Sequence, residues 1–107
     1  MDNNCVNITT TTDNLIIARK ISRTLVERNL ISGAQISEIE SIYKWEGRNV
    51  EKKEFKMEFK STENNLEECF KTIKELHNYK CPEIRAQKIH YLDRNFGDWI
   101  ISECNKD

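Results

Sequence analysis

The 107-residue chain is short of the residues that break or staple a fold: one proline, three glycines, four cysteines and no C-x-x-C pair. Three scattered glycines exclude a glycine-rich phosphate loop. The cysteines stand at 5, 69, 81 and 104 without zinc-ribbon spacing. They are expected to be reduced thiols, with Cys69 on an apolar helical stripe and therefore in the core. No apolar run approaches the roughly 20 residues of a membrane-spanning helix; Leu15-Ile16-Ile17-Ala18 is among the longest. The opening MDNNCVNITTTTD lacks a basic stretch followed by an apolar one, so no export signal is expected and a cytoplasmic location is. Neither sign of charge is in excess, with 17 Lys and Arg against 18 Asp and Glu. That balance argues against nucleic acid and against an anionic membrane as partners. A net charge near zero with periodic apolar residues also argues against disorder.

Apolar residues are lean as well, at 37% against 33% charged. A chain this short buries only about 60–65% of its unfolded surface when it folds alone. One domain over 1–107 is expected, helped by disulfides, a metal or an oligomer interface.

What is present reads as alternating elements. Residues 5–12 (CVNITTTT) are β-branched and predict a first strand. Asp13 is placed to cap a helix along Leu15, Ala18, Ile21, Ser22 and Leu25, running to about Leu30 and closed by Gly33. Residues 34–46 predict a long strand, with Ile36 and Ile42 on one face and Ile39, Tyr43 and Trp45 on the other. Two apolar faces suit a strand covered on both sides, or one with a bulge. Gly47-Arg48-Asn49 predicts a turn. Over 50–60, Phe55, Met57 and Phe59 point inward while Glu54, Lys56, Glu58 and Lys60 point outward. Thr62 is placed to cap a second helix along Leu66, Cys69, Phe70, Ile73 and Leu76. Pro82 ends it, residues 83–90 predict a fourth strand, and Phe96, Trp99 and Ile100 a short terminal helix. The order β-α-β-β-α-β is the α+β, ferredoxin-like plan of a four-stranded antiparallel sheet with two helices on one face. The other face is left for a partner.

That plan hosts many functions. The third strand, VEKKEFKMEF, lacks the basic-Gly-aromatic start of an RNA-recognition strand. The loop TTTTDN lacks the glycines and arginine of an acylphosphatase-like site. No nucleophile and base come with a supporting pattern, so no catalytic residues and no enzymatic activity are expected. The densest chemistry is Glu75 to Glu83, where His77, Cys81 and Glu83 offer an imidazole, a thiol and a carboxylate. Converging, they would suit copper or zinc; otherwise they form a helix-ending turn held by ordinary hydrogen bonds.

At this point the chain resembles the CutA divalent-cation tolerance proteins. The resemblance rests on Leu25-Val26-Glu27-Arg28-Asn29-Leu30, on Ser41-Ile42-Tyr43-Lys44-Trp45-Glu46-Gly47, on Glu75-Leu76-His77-Asn78-Tyr79 with Pro82-Glu83-Ile84, and on Phe96 with Asp98-Trp99-Ile100. It covers about residues 8–101. It implies a cytosolic homotrimer of ferredoxin-like subunits, similar in assembly to the nitrogen-regulatory PII proteins, linked to copper or other divalent metals and without an accepted enzymatic activity. Where bacterial copper-binding members carry a cysteine and two adjacent histidines, this chain has Thr10 and Leu76-His77. The expected metal or ligand contacts are therefore His77 and Glu83, with Cys81 beside them, at a cleft between subunits. Tyr43, Trp45, Tyr79 and Trp99 are expected at subunit interfaces. Two other readings stand beside this one. One is a structural or adaptor trimer that uses no metal. The other is a PII-like sensor of an anionic metabolite, contacted by Lys60.

Overall fold

The computed structural model describes residues 3–106; Met1, Asp2 and Asp107 of the expected 1–107 domain lie outside the described residues. Its elements are β1 (Cys5–Thr12), α1 (Leu15–Glu27), β2 (Gly33–Trp45), β3 (Arg48–Thr62), α2 (Leu66–Leu76), β4 (Ile84–Lys88) and α3 (Arg94–Cys104). The sheet runs β2-β3-β1-β4 and every pairing is antiparallel. This is the expected ferredoxin-like order, with α1 and α2 crossing one face. Among the described residues no helix is long and apolar enough to cross a membrane.

The core follows from the strand alternation. Val6 and Ile8 on β1 meet Met57 and Phe59 on β3, under Ala18, Ile21 and Leu25 of α1 and Cys69 and Ile73 of α2. Cys5 is next in the chain to Val6 and so points to the opposite face. There it is buried with Ile100 and Cys104 of α3. The terminal helix, eleven residues rather than a short one, thus covers one end of the face that α1 and α2 leave open.

Several element ends differ from the sequence reading. Asn14, not Asp13, caps α1, its side-chain oxygen accepting from the Ile17 amide. The helix closes before Gly33: Asn29 takes the left-handed conformation (φ 59°), its N–H bonds Val26 O, and Leu30 N–H bonds Leu25 O. That is a Schellman closure with asparagine in the glycine position. Gly33 instead opens β2, where Trp99 of α3 lies close above it. The hairpin turn is Glu46-Gly47, both at positive φ (50° and 78°), the signature of a tight two-residue β-turn. Thr62 precedes a 3-10 turn at Glu63–Asn65 without donating or accepting a cap bond.

β2 is not covered on both sides. It is an edge strand in unbroken register with β3 from Gly33↔Lys60 to Trp45↔Arg48, with no bulge. Several of its apolar residues stay open, Ile42 at 66% and Trp45 at 51% exposure, while Ala34 packs against the core. β3 alternates as expected around Met57 and Phe59, but Glu54 on its other face is buried.

Candidate functional site

Above α3, on the same open face of the sheet, lies a cleft of about 610 Å³. Tyr43 and Trp45 at the end of β2, Val50, Lys52 and Glu54 on β3, Thr11 on β1 and the segment from Asn78 to Glu83 line it. Strand alternation explains the set: Tyr43 and Trp45, and their β3 neighbours Val50, Lys52 and Glu54, are alternate residues that share one face. The α2–β4 connection supplies the other wall.

That connection is pinned residue by residue. The Thr12 hydroxyl donates to Asn78 Oδ1 at 2.6 Å, and Asn78 Nδ2 donates to Asp13 Oδ1 at 2.9 Å. Lys52 Nζ reaches the other Asp13 oxygen at 3.4 Å. Burial opposes the Asp13 charge, but the bonds from Asn78 and Lys52 outweigh it and hold the carboxyl below its usual range. Asp13 is therefore spent on the cleft, which is why its neighbour caps α1. Lys52 Nζ lies 4.8 Å from the Tyr79 ring centroid and 5.9 Å from that of Tyr43. The Tyr79 hydroxyl beside it raises the ammonium above its ordinary pKa, against the cost of burial. The Tyr79 hydroxyl donates to Glu54 Oε2 at 2.5 Å. Burial and that carboxylate push the phenol up to about 12.

His77 stands behind this wall rather than in it. Its Nε2 lies 2.8 Å from the Thr11 carbonyl, and its Nδ1 accepts the Tyr79 amide at 3.0 Å. A carbonyl only accepts and an amide N–H only donates, so the ring is the neutral Nε2–H tautomer. Burial lowers its pKa, in spite of Asp13 and Glu54 nearby. The imidazole ring sits 5.0 Å from the Tyr79 ring.

The expected metal contacts therefore separate. Cys81 and Glu83 line the cleft, Cys81 exposed and Glu83 tied to Arg85 Nε at 2.8 Å. His77 has no free nitrogen lone pair. A divalent ion needs such a lone pair, so the residues present do not fit a preformed centre built on His77. Among the described residues, no group of three or more His, Cys, Asp or Glu side chains is placed to hold a metal. Of the expected interface aromatics, Tyr43, Trp45 and Tyr79 meet in the cleft. Trp99 lies on α3 against Phe96, 43% exposed. Lys60 donates to Asn7 Oδ1 at 2.8 Å and does not line the cleft. Lys52, Glu54, Asp13 and Asn78 were missed as site residues. Alternation placed Glu54 on an outward face, and nothing local to β3 says that Tyr79 reaches it.

Comparison with known proteins places this architecture. Residues 6–103 match the family model described as CutA1 divalent ion tolerance protein. The divalent-cation tolerance protein CutA of Thermococcus kodakarensis is 40% identical over 83 residues, 78% of this chain and 80% of that protein. Its namesake from Pyrococcus horikoshii is 35% identical over 89 residues, covering 83% and 87%. Among solved structures, CutA1 of Ehrlichia chaffeensis superposes with a TM-score of 0.91 at 27% identity, covering 99% of this chain and 100% of that one. CutA1 of Pyrococcus horikoshii superposes at 0.89 with 32% identity, covering 94% and 99%. The chain belongs to the CutA1 family of divalent ion tolerance proteins.

Proposed function

We propose that this protein serves its cell's response to divalent metal ions as a cytoplasmic homotrimer that binds a small ligand, and is not an enzyme. The ligand site is the cleft, completed by a neighbouring subunit. One observation carries the reading: a cleft of ligand size, about 610 Å³, brings three aromatic rings together with a few oriented polar groups, while His77 is committed to backbone. The metal link comes from the family, whose members are named for tolerance of divalent cations. On this reading the metal acts on the protein's physiology without a resident ion at His77.

Assembly is supported by the exposed apolar side chains of the edge strand and of α3, Ile42, Trp45, Phe96 and Trp99. They are the outside help that the lean core calls for. Native mass spectrometry of freshly purified, reduced protein tests both parts at once. The expected species has three times the 12.7 kDa chain mass and carries a small molecule that Trp45→Ala sheds. A monomer would overturn the assembly. A stoichiometric metal adduct insensitive to Trp45→Ala would overturn the site.

A further inference from the structure

We infer that the outer stripe of α1, Ile16, Arg19, Lys20 and Arg23, docks an acidic segment of a partner protein, with its carboxylates on the arginines and an apolar side chain on Ile16. The inference is independent of the cleft. Helical spacing gathers the four side chains on one face, opposite the buried Ala18, Ile21, Ser22 and Leu25. All four are exposed, Ile16 at 76%. None of the three cationic side chains makes an ion pair or a hydrogen bond among the described residues. α1 crosses the sheet face opposite α3 and the cleft. The side chains offered to neighbouring subunits lie on β2 and α3, so an assembly built on those elements leaves the stripe open.

Helix stability does not account for these charges. α2 follows its dipole, with Glu67 and Glu68 in the first turn and Lys74 in the last. α1 has no acid in its first turn and no base in its last. Arg19 and Lys20 lie in its N-terminal half, and its one carboxylate, Glu27, is its final residue. Arg19 and Arg23 stand one turn apart, where like charges repel. The chain as a whole is balanced, with 17 basic against 18 acidic residues. A helix that keeps three cations against its dipole and against one another, with no partner inside the chain, has their partner outside it. An arginine fork takes a carboxylate through two parallel hydrogen bonds, the chemistry by which arginine clusters hold acidic motifs. Ile16, one turn before the cations, gives the apolar contact that fixes register. A membrane fits less well, since lipid-binding surfaces gather about 4–8 basic residues. Nucleic acid fits less well too, since three cations neutralise too few phosphates to hold a duplex against salt.

The test uses the assembled, reduced protein and the fluorescence anisotropy of a labelled Glu-Glu-Leu-Asp-Glu peptide at low salt. Its Gln-Gln-Leu-Asn-Gln counterpart, phosphatidylserine vesicles and single-stranded RNA are run beside it. The acidic peptide is expected to bind in the micromolar range, to weaken as salt is added, and to bind at least about tenfold tighter than its amide counterpart. Arg19→Gln with Arg23→Gln is expected to lose about tenfold or more, and Ile16→Ser severalfold. Lys106→Gln, at a lysine paired with Glu103 away from the stripe, is expected to lose nothing. Thermal melts of the same variants separate docking from folding. Arg19→Gln is expected to melt no lower than wild type, because it relieves a repulsion. A lower midpoint would give the cation a structural role and overturn the inference. So would peptide binding that survives loss of both arginines, or no binding at millimolar peptide. Vesicles or RNA held more tightly than the peptide through the same arginines would overturn the acidic segment and make the partner a membrane or a nucleic acid.

Discussion

His77 is the residue on which sequence and structure pull hardest in different directions. In the sequence it is the one imidazole within a ligand-dense turn. In the fold it is a clamp between Thr11 O and the Tyr79 amide. Burial lowers its pKa, so the neutral form is favoured in the folded state. The unfolded chain then takes up a proton first as pH falls through the ordinary histidine value of about 6.5. Stability from this group is complete above that value and is lost as pH drops from there through the lower folded pKa. Thermal melts should therefore show a falling midpoint below neutrality that flattens in His77→Gln. An unchanged slope in the variant would count against the clamp. Tyr79→Phe removes the donor to Glu54, a carboxylate only 5% exposed. Urea unfolding should show a loss of about 1–3 kcal/mol, the cost of an orphaned buried acceptor. None of this was legible locally, because a histidine read in sequence shows neither of its nitrogens' partners.

At the scale of elements, legibility tracked periodicity. The apolar stripe of α1 and the alternation of β3 were readable because burial imposes a period on the sequence. Ends were less readable, because several residues can do the same job. Asp13 and Asn14 are both able to cap α1, and only the tertiary demand of Asn78 and Lys52 on Asp13 decides between them. Asn29 takes the left-handed closure four residues before the glycine that looked suited to it. The hairpin turn offers a direct check. Glu46 is held at φ 50°, where a side chain of its kind is strained. Glu46→Asn should raise stability by about 0.5–1 kcal/mol in chemical denaturation, since asparagine favours that conformation. A loss of stability would mean that the glutamate makes a compensating contact within the assembly.

At the scale of the whole molecule, the fold was readable from element order, and an exposed apolar surface from apolar residues on both faces of β2. The physical reason differs from the expected one: β2 is an edge strand paired only with β3, and Ile36, Ile42 and Trp45 stay exposed rather than packed within the chain. Long exposed edges are normally blunted or covered. Ile42→Glu, placed at a side chain 66% exposed, should shift the sedimenting species from trimer toward monomer at micromolar concentration. A trimer unmoved by it would place the interface elsewhere. The cleft was only half legible. Its aromatics, Cys81 and Glu83 were named from sequence, but the places of Lys52 and Glu54 in it, and the detachment of His77 from it, needed three dimensions. Calorimetric titration of reduced protein with Zn(II), Cu(II) and, anaerobically, Cu(I), beside His77→Gln, tests the detachment of His77 most directly. Wild type and variant are expected to give the same weak isotherms for every ion. Tight, one-to-one binding in the wild type that disappears in His77→Gln would contradict it.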